Sequence, residues 1–166
     1  MPRTMTDYLE TYLQDHRAGA EAGSDLARRL YEENKGTQYE AFLGHLAEEI
    51  EDDVITLEQI MDRFDVERPA LKAAVAKIGE RFSRLKPNDQ LTDYSPLSRV
   101  LEFEGLRAGV QGKLSMWDAL LEVTPFDARL DPEELGQLIA RAESQLKGLR
   151  VHHRLAAREA FAPPEP

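Results

Sequence analysis

Five ionisable residues fall on or beside stripes that a helical chain should keep apolar: His16, Glu49, Asp53, Glu104 and His153. An unpaired charge in such a place costs on the order of several kcal/mol, so each needs a partner. His16, Glu49 and Asp53 offer the nitrogen and oxygen donors that hold iron, manganese or zinc. Counting from the first turn, His16 lies 18 residues before Asn34 and Asp53 lies 17 after Gly36, nearly one height on adjacent helices. Glu49, four residues before Asp53, shares its helix face. The same residues also suit a hydrogen-bonded His16–Asp53 pair with a solvated Glu49 beside it, and both readings stand. Glu104 and His153 make a second acid–histidine pair, the first about 20 residues before the loop at Thr124, the second about 21 after Asp131. If the two loops lie at opposite ends of a bundle, the pairs sit about 15 Å apart, which argues against one dinuclear centre.

The elements that must position these residues are helices. Apolar residues recur in alternating steps of four and three, and no stretch alternates at period two for long. Leu9, Leu13, His16, Ala20, Gly23, Ala27 and Leu30 form one seam. Tyr39, Leu43, Leu46, Ile50, Asp53, Leu57, Ile60 and Phe64 form a second, and Leu135, Ile139, Ala142, Leu146, Leu149, His153, Ala156 and Ala160 another. Between them Phe103, Leu106, Val110, Leu114, Trp117 and Leu121 run beside a further stripe, Leu97, Leu101, Glu104, Ala108 and Gln111. Starts are marked by capping chemistry: Thr37 with Glu40, Ser95 before Pro96, and Asp131 before Pro132. Helices are therefore predicted at about 6 to 33, 38 to 64, 69 to 85, 96 to 123 and 132 to 161, with a disordered tail at about 162 to 166. Four long helices, joined in pairs by short connections and separated by about 30 residues containing Ala70 to Leu85, predict a single all-α domain. Its expected form is a four-helix bundle of two antiparallel hairpins with a long helical crossover.

That arrangement resembles the ferritin-like superfamily. Tyr8, Leu9 to His16, Ala18 and Gly19, then Glu48 to Asp52, Arg84 to Lys86 and Ser95 to Ser98 are also similar to an uncharacterised bacterial family of small helical proteins. Iron-oxidising ferritin-like proteins carry a Glu on each of two helices and a Glu-x-x-His on each of the other two. This chain departs from them, since no acid precedes a histidine by three residues.

Composition narrows the function. The chain has 166 residues, 31 acidic against 21 basic, a net charge of -10, and no cysteine. An acidic chain does not suit the phosphates of nucleic acid, and without sulfur there is no disulfide, thiolate or cysteine-ligated zinc. No apolar run reaches the length of a membrane span, so a cytoplasmic protein is expected. Gly112 and Lys113 do not make a phosphate loop, because Arg107 stands where its first glycine belongs and Leu114 follows the lysine. Nor is there a nucleophile elbow, a zincin helix or a dinucleotide fingerprint. Gly105, Gly109 and Gly112, with Ala18, Gly19, Ala22 and Gly23, form two small-residue faces expected to pack closely, within the bundle or across a dimer axis. Residues 1 to 66 hold 16 acids and 6 bases, so the whole charge excess lies there and suits a basic protein partner. The reading is a non-catalytic binding or interaction bundle, expected to be a homodimer. Its alternative is a metal protein with iron or oxygen chemistry at His16, Glu49 and Asp53.

Overall fold

The computed structural model describes residues 5–68 and 94–163, which form α1 (Met5–Glu33), α2 (Glu40–Arg63), α3 (Pro96–Leu121) and α4 (Pro132–Phe161). The fold is all-α, with no strand among the described residues. The helix expected at 69 to 85 and the end of the tail lie outside those residues.

Two of the predicted caps form as written. Ser95 is extended and its hydroxyl accepts from the amide of Ser98, with Pro96 in the first turn. Asp131 accepts from the amide of Glu133, again before a proline. The third cap is rearranged. Thr37 accepts from the amide of Tyr39 and donates to the Asn34 carbonyl, which adds a turn before α2. Glu40 meanwhile reaches back to the amide of Gly36, a residue in the left-handed region at φ 76°. At the other end of α2 the amide of Val66 bonds to Met61 O and that of Asp65 to Asp62 O, the paired closure that stops a helix through a left-handed residue. Asp65 supplies it at φ 53°, and Val66 is buried beside the equally buried Met61.

The eight residues of the α2 seam, Tyr39 to Phe64, are all buried. On α4 the buried line runs Leu135, Leu138, Ala142, Gln145, Leu149 and Ala156, so Leu138 and Gln145 replace Ile139 and Leu146 of the expected seam. α3 buries Phe103, Leu106, Val110 and Trp117, while Ala108 and Gln111 of its second stripe are exposed. These side chains meet in one core contributed by all four helices. Gly148 lies close against the Phe42 ring, so that an added Cβ would overlap its Cε2. That absent methyl lets the Phe42 ring stack on His152, with centroids 3.9 Å apart.

Polar pairs between the helices give the level of each residue. Arg17 pairs with Glu58 and Arg28 with Glu51 across α1 and α2. Arg29 pairs with Glu102, and Asn34 with Arg99, across α1 and α3. Arg99 meets Glu159 and Lys113 meets Gln145 across α3 and α4, while Arg63 meets Glu134 across α2 and α4. In every case a higher number on one helix meets a lower number on the other. The start of α3 therefore stands beside the end of α1, and the end of α2 beside the start of α4.

Candidate functional site

A polar cluster crosses the core at mid-height. Asp53, only 3% exposed, projects from α2 between two cations. Its Oδ2 accepts from Nζ of Lys113 on α3, and its Oδ1 faces the guanidinium of Arg141 on α4 as an ion pair without hydrogen-bond alignment. Gln145, also on α4, closes the cluster: its Oε1 takes a second bond from Lys113 at 2.6 Å, and its Nε2 donates to Glu49 at 3.1 Å and Asp53 at 3.4 Å. Two carboxylates and two cations thus share one small volume. A buried charge left alone would be costly, and here each has a counter-charge or a dipole within reach. Burial pushes the Lys113 ammonium below its ordinary value, opposed mainly by Asp53.

Beside this cluster lies a cavity of about 330 Å³ between α1 and α3. Ile50, Leu57, Leu106, Val110, Met116 and Trp117 make most of its apolar wall, with Asp53 and Lys113 reaching it from the polar cluster. The α1 side is Asp15, His16, Gly19, Ala20 and Gly23, facing Gly109 and Gly112 on α3. Among the described residues, a Cβ placed on Gly19, Gly23, Gly109 or Gly112 would meet nothing within 4 Å. The close packing expected of the two small-residue faces is therefore absent where these four glycines stand. They border open space, because the side chains that would fill it are missing from both walls at once. Trp117, the only tryptophan of the chain, is fully buried in the wall, and its indole N–H meets no acceptor among the described residues.

The residues singled out in the sequence occupy separate places. His16 and Asp53 both border the cavity, yet they are not at one level: Arg17, next to His16, pairs with Glu58, five residues beyond Asp53. The count from the turn misplaced them because residues 34–39 are spent before α2 begins at Glu40. His16 packs edge-on against Tyr12 at 4.5 Å, and burial pushes its imidazole below the ordinary 6.5, against a weaker opposite pull from Asp15. Glu49 joins Asp53 only through Gln145, and it lies 3.6 Å from His45. The structure does not bring His16, Glu49 and Asp53 into one ligand set, and among the described residues no three His, Asp or Glu stand close enough to hold a metal ion. The register of α2 against α1 separates His16 from Asp53, whose two oxygens face Lys113 and Arg141 instead. Glu104 and His153 do meet, at 3.1 Å, with the Glu104 side chain 53% exposed.

Sequence reasoning missed Lys113, Arg141 and Gln145. A signal was present for two of them. Lys113 continues the buried line Leu106, Val110 with a step of three and precedes Trp117 by four, and Gln145 stands between Ala142 and Leu149 in the same rhythm. No protein-family model, curated protein or solved structure gives a significant match to this chain. Among the described residues no helix is long and apolar enough to cross a membrane.

Proposed function

We propose that this chain is a non-catalytic binding protein that takes a small, largely apolar molecule into the cleft between α1 and α3. The observation that carries this reading is the cavity itself, about 330 Å³ with glycine on both sides and no described residue in van der Waals reach of their missing methyls. Glycine inside a helix costs about 1 kcal/mol relative to alanine, and no neighbour among the described residues requires it at these four positions. Clefts of a few hundred Å³ between helices, apolar with a few fixed polar groups, are where bundles hold ligands. The scaffold is a ferritin-like bundle of two antiparallel hairpins, a reading supported by the order of the cross-helix pairs, which puts residues 68 and 94 at opposite ends.

N-phenyl-1-naphthylamine, an uncharged fluorophore that brightens in apolar surroundings, tests the cleft. Its emission should rise saturably at one molecule per chain and quench Trp117. Gly112→Leu, which projects a side chain into the cleft, should abolish the signal while the helical circular dichroism persists. The triple variant Gly19→Ala, Gly23→Ala, Gly112→Ala adds only methyls with room to spare. It should raise the unfolding free energy by up to about 1 kcal/mol per site and weaken binding. No saturable signal in the wild type, or an unchanged one in both variants, would sink the proposal.

A further inference from the structure

The occupant's chemistry can be read from the same walls, and this step rests on the cleft being a binding site. We infer that the ligand is uncharged, has an apolar body of about two to three rings or a ten-carbon chain, and presents a hydrogen-bond acceptor to Lys113. Size comes first. A cavity of about 150 Å³ accommodates one benzene, so 330 Å³ has room for roughly twice that.

Charge comes next. The polar cluster already closes on itself, Glu49 and Asp53 against Lys113 and Arg141. Burial holds the His16 imidazole below its ordinary value and so favours its neutral form, and among the described residues the one further ionised group on the cavity's edge is the exposed Asp15. A carboxylate entering this space would lose water and, among the described residues, find no spare cation. An ammonium would have to compete with Lys113 and Arg141 for an aspartate whose two oxygens are both engaged.

Hydrogen bonding then sets the polar end. An ammonium has three N–H donors, and among the described residues Lys113 spends one on Asp53 and one on Gln145. The third is left for a group in the cavity that Lys113 borders. Of the buried polar atoms in that wall without a hydrogen-bond partner among the described residues, Asp53 Oδ1 is held by the Arg141 guanidinium as an ion pair, and the indole N–H of Trp117 is a donor. A ketone, ether, ester or alcohol oxygen answers the third N–H of Lys113 without bringing a charge.

A matched series with one ten-carbon body decides the matter: 2-decanone, 1-decanol, decane, decanoate and decylamine, each displacing N-phenyl-1-naphthylamine from the wild-type protein at pH 7. The ketone and alcohol should displace it at concentrations about tenfold or more below those of the two ions, since stranding a charge in an apolar site costs well over the 1.4 kcal/mol that a factor of ten represents. They should also outdo decane, and Lys113→Met should narrow that gap. Decanoate or decylamine displacing as well as the ketone would overturn the inference, as would decane matching it. Failure of the whole series to displace a bound fluorophore would overturn the size and leave the cleft. Failure of the fluorophore itself to bind would take the cleft reading down with the ligand.

Discussion

Asp53 is the residue on which the polar core turns, because it is the one carboxylate shared by a lysine from α3 and an arginine from α4. Replacing it with alanine strands two cations in the bundle. Urea denaturation of Asp53→Ala should show a loss of about 3–5 kcal/mol, the range for breaking a buried pair from one side. Lys113→Met combined with Asp53→Ala should cost less than the two single losses together, by about 0.5–3 kcal/mol. Additive losses would mean that the two side chains do not interact in solution. Seen from sequence, Asp53 was legible as a buried acid needing a partner. Its partners were not, because they come from helices 60 and 88 residues further along the chain, and no local pattern encodes which side chain of a distant helix arrives at that height.

The helices are held in register by particular residues at their ends and crossings. Asp65 occupies a left-handed position that glycine adopts without strain, so Asp65→Gly should raise stability by about 1 kcal/mol. Gly148 is the opposite case. Its added methyl would strike the Phe42 ring, and Gly148→Ala should lower stability by about 1–3 kcal/mol as the ring leaves its stack on His152. Equal behaviour of the two variants in thermal melts would show that backbone conformation and ring packing had been assigned wrongly. Helix limits were readable to within a few residues, since caps and seams are local. The start of α2 comes two residues later than expected because Thr37 bonds to Tyr39 and Asn34 rather than opening the helix itself, and α3 ends two residues earlier, at Leu121.

At the scale of the molecule, one end of the bundle is tied by Asn34. It is fully buried at the end of α1, donating to Leu30 O at 2.7 Å and to the Tyr94 hydroxyl at 3.0 Å, and accepting from Arg99 Nε at 2.6 Å. Arg99 in turn lies over the rings of Tyr39 and Tyr94 and pairs with Glu159, so that one amide side chain links α1 to the start of α3 and, through it, to the end of α4. Asn34→Ala leaves several of these groups without partners and should cost about 1–3 kcal/mol. It should also speed amide hydrogen exchange at this end of α1 and α3 more than at the start of α4. Uniform acceleration would show that the tie is not local. By itself the sequence determined the all-α class, four long helices, two of their caps and the fully buried face of α2, because periodicity and capping act over a few residues along the chain. Only the tertiary structure decided that the glycines of α1 and α3 face a cavity instead of each other, and that Asp53 answers Lys113 and Arg141 rather than His16. Both outcomes depend on how far apart two helices settle and at what level. That is fixed by the combined packing of all four, which no single stretch of sequence contains.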